Sequence, residues 1–283
     1  MSAAMRSNYR FCRKLVRAHD KDRYLAGLFV PSAKRKHLFA LYAFNYEIAR
    51  IRELVHEPMP GELRLQWWRD ALEGQARGDV ARHPVANVLL ATIEKFSLPR
   101  PQCLELIDAH TFDLYDDAMP DVARLETYCD STAGALFRLA VTLLAGRELQ
   151  GVGELLQHAG RAYAITGLLR AFTLHASRGQ VYLPLELLAR HGIMRDDIVT
   201  GKGAPGLAAA LAEIRGLARG HYDEASRRTT SLPRDAISAL LPLELVPLYL
   251  DRMEEADYDP FKTPVEVVQW RRQWRLWRAS RRL

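Results

Sequence analysis

Helical periodicity runs through the whole chain and constrains the fold more than any other feature. Leu38, Tyr42, Asn45 and Ala49 recur at the i, i+3/i+4 and i+7 spacing that aligns side chains on one face of an α-helix. The segment GELRLQWWRDALEG repeats this pattern, and clusters of Gly and Pro separate such segments. No run alternates apolar and polar residues as a half-buried strand does. The sequence therefore predicts an all-α protein, with one helical domain over residues 1–283.

The composition indicates a folded protein that does not cross a membrane. With 283 residues, of which 48% are hydrophobic, the chain can bury a substantial core. No apolar run reaches the roughly 20 residues that span a bilayer, and the N-terminal segment has no apolar stretch of a secretory signal. The three cysteines are widely spaced, which fits a reducing compartment. The net charge of +6 is compatible with an anionic membrane, a phosphorylated ligand or nucleic acid, but selects none of them.

Common catalytic and metal-binding motifs do not occur in the sequence. It contains no phosphate-binding loop of the Walker or dinucleotide type, and its histidines form no zinc-binding pair such as H-E-x-x-H. Carboxylates cluster in FDLYDD, where Asp113, Asp116 and Asp117 would share a helical face. Such a group could hold a divalent cation, although a solvated helix end is the simpler interpretation.

The C-terminal segment 264–283 is predicted to be a basic, tryptophan-rich helix. Trp270, Trp274 and Trp277 form one stripe at helical spacing, and arginines surround it, among them Arg271, Arg275 and Arg278. Aromatic residues on one face with arginines on the rest are typical of a helix that lies on an anionic membrane surface. Alternatively, the tryptophan stripe packs onto the domain. Nucleic acid is not an expected partner, because no known binding module accompanies the basic run.

Four segments in order resemble the squalene/phytoene synthase family. They are HDKDRYLAGLFVPSAKRKHLFALYAFNYEIARIREL, LRLQWWRDAL, LETYCDSTAGALFRLAVTLL and GRAYAITGLLRAFTLHASRGQVYLPLELLARHGI. The resemblance covers residues 9–194 by motif. It implies the all-α isoprenoid-synthase fold with a central cavity, in which two aspartate-rich helices hold Mg²⁺ against the diphosphate of a prenyl substrate.

The sequence departs from the family at the metal-binding positions. The first aspartate pair would fall at Ala49 and Glu53, and the second at Ala171 and His175. Small hydroxyl residues that cradle diphosphate in the family would correspond to Asp20 and Asp22. Without the oxygen donors that Mg²⁺ requires, catalysis is not expected. Mg²⁺ would be a cofactor only of an active synthase, with Glu53, Asp113 and Asp117 as weak candidate ligands.

Other motif positions remain candidates for the wall of the cavity. Arg50 stands where many members carry an aspartate, and Tyr46 replaces an arginine of the family. Arg170 could instead form a buried ion pair, for instance with Glu53 or Asp113, and His175 would be a hydrogen-bonded core histidine. The cavity candidates are Tyr42, Asn45, Tyr46, Arg50, Tyr163, Gly167, Arg170, Arg178 and Tyr182.

Within the family, the variant motifs resemble most the branch that contains the mitochondrial respiratory complex I assembly factor 6. That resemblance implies a non-catalytic assembly factor whose partners are complex I subunits or assembly intermediates. It also implies a location in the cytoplasm or the equivalent mitochondrial matrix, peripheral to the inner membrane. Two alternatives stay open at this point. One is an active Mg²⁺-dependent head-to-head prenyl-diphosphate transferase, and the other is a carrier of an isoprenoid or lipid.

Overall fold

The computed structural model describes residues 2–76, 78–202, 204–229 and 232–281, and every regular element in these ranges is helical. The α-helices are α1 (Ala3–His19), α2 (Lys21–Gly27), α3 (Ser32–Ala49), α4 (Pro58–Glu73), α5 (Pro84–Phe96), α6 (Arg100–Ala109), α7 (Val122–Cys129), α8 (Ala135–Ala145), α9 (Gly153–Arg170), α10 (Phe172–Ser177), α11 (Leu185–Arg190), α12 (Arg195–Val199), α13 (Leu207–Arg228), α14 (Arg234–Ile237), α15 (Val246–Arg252) and α16 (Gln269–Ser280). The predicted all-α class is thus confirmed.

Shorter helical turns join several of these helices. They are the 3₁₀ turns Ile51–Leu54, Val80–Arg82, Phe112–Leu114 and Ser238–Leu245, and the π-helical turn Asp130–Gly134. None of the helices in the described ranges combines the length and the apolar character that a bilayer crossing demands.

Helix α3 lies at the centre of the fold. Eight consecutive residues, His37 to Phe44, are buried, so that this part of the helix is enclosed on all sides. A helix that is apolar around its whole circumference is typical of the interior of a bundle. α3 packs against α1, α5 and α8, and its C-terminal end carries Ala49, the first of the motif positions.

Helix α9 is held in place by a close approach to the π-helical turn. A Cβ atom at Gly160 would lie 2.5 Å from the Cα atom of Gly134, so the two backbones can meet this closely only because residue 160 is a glycine. Next to this contact, Arg161 Nη2 lies 2.7 Å from Asp130 Oδ2 and Arg161 Nη1 lies 2.6 Å from Glu126 Oε2. These contacts fix the helix that ends at Arg170, directly before the second pair of motif positions.

Two elements differ from the sequence prediction. FDLYDD does not form a helix with three aligned carboxylates, because the 3₁₀ turn ends at Leu114 and extended chain follows. Asp113 is buried, whereas Asp116 and Asp117 are exposed. The C-terminal helix is shorter than the predicted 264–283: residues 264–268 are not helical, the helix spans Gln269–Ser280, and residues 282–283 lie outside the described part.

Candidate functional site

A cavity of about 460 Å³ lies between the junction of α1 with α2, the C-terminal half of α9, the segment 242–249 and the segment 265–272. α9 packs against the π-helical turn, and α16 packs against α2. These contacts bring residues that are far apart in sequence together around the cavity. Of the predicted cavity residues, Tyr163, Gly167 and Arg170 line this cavity, together with Asp20 and Asp22.

Asp22 is the centre of a buried ion cluster in the cavity wall. One carboxylate oxygen, Oδ2, accepts hydrogen bonds from Tyr249 OH (2.6 Å) and from Arg170 Nη1 (3.1 Å). The other, Oδ1, accepts from Arg272 Nη1 (2.8 Å). The guanidinium of Arg170 also stacks on the Tyr249 ring, 3.6 Å from its centroid. We call Asp22, Arg170, Tyr249 and Arg272 the inner cluster.

The inner cluster keeps Asp22 ionised. Burial disfavours the charged carboxylate, but the positive charge of Arg170 and the hydrogen bonds from Tyr249 and Arg272 outweigh this cost. The pKa of Asp22 therefore lies below its ordinary value. Arg170 thus has an internal carboxylate as its partner, and this partner is Asp22 rather than the Glu53 or Asp113 suggested by the sequence.

Arg23 fills the space between two of the predicted cavity tyrosines. Its guanidinium lies 4.7 Å from the ring centroid of Tyr163 and 5.7 Å from that of Tyr42, and it pairs with Asp20 at 2.8 Å. Burial raises the pKa of both tyrosines, so their hydroxyls stay protonated. Tyr42 is therefore a buried neighbour of the cavity wall and does not line the cavity.

The metal-motif positions lie outside this cavity. Ala49 and Glu53 are exposed, Ala171 and His175 are partly buried, and Glu53 Oε1 lies 3.2 Å from Arg178 Nη1. We call Ala49, Glu53, Ala171, His175 and Arg178 the outer motif region. Here, a retained arginine of the family motif is paired with the one carboxylate that remains at the four metal-motif positions.

The remaining candidates of the first motif pair with one another. Tyr46 stacks on His19 with 4.5 Å between ring centroids, and Arg50 lies over the Tyr46 ring at 5.2 Å. Arg50 also pairs with Glu47 at 3.1 Å. Asn45 is partly buried on α3. These side chains form the outer surface of α3 beside the cavity and are not part of its wall.

Asp113 is enclosed by hydrogen-bond donors. Its carboxylate accepts from Tyr182 OH (2.7 Å) and Tyr128 OH (2.9 Å), and it lies 2.5 Å from His110 Nδ1. His175 packs against the Tyr182 ring with 4.6 Å between centroids. Burial lowers the pKa of His175 to about 4, so its imidazole is neutral at pH 7.

These residues do not fit a magnesium–diphosphate centre. Mg²⁺ takes hard oxygen ligands in octahedral geometry, but Glu53 is paired with Arg178 and Asp113 is already bonded by three side chains. Asp116 is paired with Arg52 at 3.2 Å. Among the residues that the structure describes, no three His, Cys, Asp or Glu side chains converge on a point that could hold a metal ion.

The C-terminal helix has two different faces. Trp270, Trp274 and Trp277 are 67%, 57% and 40% exposed, so the tryptophan stripe does not pack onto the domain. Leu276 and Ala279 are the buried residues of α16 instead.

The prediction that Arg275 belongs to the membrane face is wrong. It is partly buried, where its Nη2 donates to Tyr222 OH (3.0 Å) and its Nε to the carbonyl of Glu244 (3.1 Å). Arg271 and Arg278 are exposed, as the prediction for a surface face requires.

Sequence reasoning missed Tyr249 and the role of Arg272. Tyr249 lies in an apolar segment outside all family motifs, and Arg272 is one arginine in a basic run. The one available signal was Asp22 itself, because a carboxylate at a buried motif position requires a cationic partner. No pattern in the sequence indicates which arginine would supply it.

Comparisons with known proteins agree with this fold. A protein of Mus musculus named NADH dehydrogenase (ubiquinone) complex I, assembly factor 6 is 30% identical over 251 residues, which are 89% of this chain and 75% of the relative. A presqualene diphosphate synthase of Rhodopseudomonas palustris is 32% identical over 223 residues, which are 76% of this chain and 77% of the relative. Among solved structures, a dehydrosqualene synthase in complex with a ligand superposes with a TM-score of 0.83 at 19% identity, over 98% of this chain and 97% of that chain.

At that identity the solved structure is evidence for the fold alone. The family model of squalene/phytoene synthases matches residues 16–278. The chain belongs to the squalene/phytoene synthase family.

Proposed function

We propose that this protein is a non-catalytic, membrane-peripheral assembly factor for respiratory complex I. The observation that carries the proposal is the inner cluster, in which Arg170 of the second family motif is bound by Asp22. An arginine with an internal carboxylate partner has less positive charge to offer a diphosphate. The similarity to the mouse protein named as a complex I assembly factor supports the assembly role.

The chemistry at the metal-motif positions supports the absence of catalysis. Departure of a diphosphate requires electrostatic stabilisation, and each such donor is worth on the order of 3 kcal/mol. Ala49, Ala171 and His175 provide no anionic oxygen, and Glu53 is paired with Arg178. Several missing donors together would cost many powers of ten in rate.

The exposed face of α16 supports peripheral binding to a membrane. Tryptophans prefer the interface between lipid and water, and each arginine near an anionic surface contributes about 1 kcal/mol. Trp270, Trp274 and Trp277 are exposed on the same helix as Arg271 and Arg278. Together with the similarity to the complex I assembly factor, this face supports a location at the matrix or cytoplasmic side of the inner membrane.

Gene deletion and rescue in the native cells test the proposal. Deletion should lower the amount of assembled complex I on native gels, and the wild-type chain should restore it. The variant with Trp270, Trp274 and Trp277 changed to Ala should restore it poorly, whereas Glu53→Gln should restore it fully because no metal chemistry is involved. If complex I is unchanged while prenyl products disappear, the proposal is wrong.

An active prenyl-diphosphate transferase is the second candidate function. The observation in its favour is the 32% identity to a presqualene diphosphate synthase. Under that alternative, Glu53→Gln would fail in the rescue experiment, since Glu53 is the remaining carboxylate at the metal-motif positions. A pull-down from native membranes adds a further distinction. Complex I subunits should be enriched under the first function, and isoprenoid-pathway enzymes alone under the second.

A further inference from the structure

We propose that the cavity binds the phosphodiester of a membrane phospholipid without a metal ion. Arg272, Arg170 and Lys21 would supply the cationic side of the site. This inference goes beyond complex I assembly and does not rest on it, because it follows from the charges and the position of the cavity.

The charges around the cavity favour a singly charged phosphate. The wall contains three carboxylates and three cationic side chains, which are Asp20, Asp22, Glu266, Lys21, Arg170 and Arg272. Arg23 stands behind the wall and neutralises Asp20 at 2.8 Å, which leaves one positive charge in excess. A phosphodiester carries one negative charge and balances that excess.

A free diphosphate fits these charges poorly. It would bring two or three negative charges next to Asp22 and Glu266, with no metal ion between them. At about 4 Å and an effective dielectric constant near 20, each uncompensated pair of like charges costs about 4 kcal/mol. The same wall therefore favours a phosphodiester over the diphosphate of a prenyl substrate.

Arg272 is a cationic residue of the cavity wall. Its side chain is 13% exposed, and its Nη1 is bonded to Asp22. Its Nε is buried and has no hydrogen-bond partner among the residues that the structure describes. The guanidinium of Arg272 carries several N–H donors and lines the cavity, so it can donate to a phosphate oxygen there in addition to Asp22.

The position of the cavity favours a lipid as the source of the phosphate. Val265 and Val267 line the cavity, and the chain continues directly into Val268 and Trp270, which are 56% and 67% exposed. The cavity and the tryptophan face of α16 thus adjoin along one segment. The apolar part of the wall, which includes Leu245 and Val246, offers a surface for the first carbons of the acyl chains.

Calorimetric titration of the full chain with dihexanoylphosphatidylglycerol, below its critical micelle concentration, tests the proposal. We expect saturable binding that needs no divalent cation. Arg272→Gln should weaken binding by about tenfold or more, because it removes a charge-assisted hydrogen bond to phosphate. The matched control is Arg64→Gln, which removes the same charge from the exposed surface of α4, a helix that does not line the cavity, and should stay within about twofold of wild type.

A second variant controls for misfolding of Arg272→Gln, and competition experiments distinguish a lipid from free phosphate. Lys21 is exposed, so Lys21→Gln should keep the fold and weaken binding severalfold. Inorganic phosphate in tenfold excess should not displace the lipid. The proposal is overturned if the lipid does not bind, if both Arg272→Gln and Lys21→Gln bind as tightly as wild type, or if inorganic phosphate or farnesyl diphosphate with Mg²⁺ binds more tightly than the lipid.

Discussion

The inner cluster and the outer motif region both pair a carboxylate with a retained arginine of the family motif, but they differ in burial. The side chain of Asp22 is 6% exposed, and those of its partners Arg170 and Arg272 are 33% and 13% exposed. The side chains of Glu53 and Arg178 are 45% and 35% exposed, so the two regions differ most in the burial of the carboxylate. An exposed pair is screened by water and can separate at little cost. A buried pair cannot lose one partner without leaving an uncompensated charge.

This difference in burial predicts that the two regions contribute differently to the stability of the fold. The inner cluster joins α2, α9, α15 and α16 through one carboxylate, so it stabilises the arrangement of these helices. The outer motif region joins only the turn after α3 to the turn after α10. We therefore expect substitutions in the two regions to have very different effects on stability.

Replacing Asp22 with Asn should have the largest effect. The change leaves Arg170 and Arg272 without a counter-charge, which should lower the free energy of unfolding by about 3 kcal/mol. Urea denaturation followed by circular dichroism measures this loss. A variant as stable as the wild type would show that the inner cluster does not hold the helices together.

The second prediction concerns His175, the partly buried histidine of the outer motif region. The pKa of His175 is about 4 in the folded protein and near 6.5 when the chain is unfolded. As the pH falls below 6.5, the unfolded state takes up a proton that the folded state refuses, so stability decreases until about pH 4. Between pH 6.5 and 5 this amounts to about 2 kcal/mol for one such group.

His175→Gln should remove that share of the pH dependence, as measured by denaturation at several pH values. Burial also lowers the pKa of His37 to about 4. His37 remains in the variant, so its contribution to the pH dependence of the unfolding free energy is the same in variant and wild type. Parallel pH profiles for variant and wild type would mean that His175 is solvated and belongs with the exposed residues of its region.

The smallest effect is expected at the exposed pair. Glu53→Gln should change the free energy of unfolding by less than about 1 kcal/mol, because an exposed ion pair contributes little. Glu53→Gln and Asp22→Asn both replace a carboxylate with an amide. The difference between their losses of unfolding free energy therefore measures the effect of burial. A loss at Glu53 as large as that at Asp22 would contradict the distinction between the two regions.

Much of the fold followed from the sequence because helical spacing is a local property. The periodicity around Leu38 and Tyr42 predicted the buried helix α3, and the family motifs predicted the isoprenoid-synthase fold. The same local reasoning was wrong for FDLYDD, where spacing suggested a helix but extended chain follows Leu114.

The site itself depended on contacts that spacing does not encode. Asp22 and Arg272 are separated by 250 positions, and only the return of α16 to α2 brings them together. The orientation of α16 was equally undetermined, since the tryptophan stripe and the face of Leu276 are both apolar. Which of them packs onto the domain depends on the shape of the surface that receives the helix.

The most direct test of the central claim is a titration of the purified protein with farnesyl thiodiphosphate, an unreactive prenyl substrate, in saturating Mg²⁺. Because the outer motif region offers one paired carboxylate at its four metal-motif positions, we predict no saturable binding that depends on the metal. The dehydrosqualene or presqualene synthases to which the chain is similar serve as the positive control. Tight binding that requires Mg²⁺ and is abolished by Glu53→Gln would contradict the account.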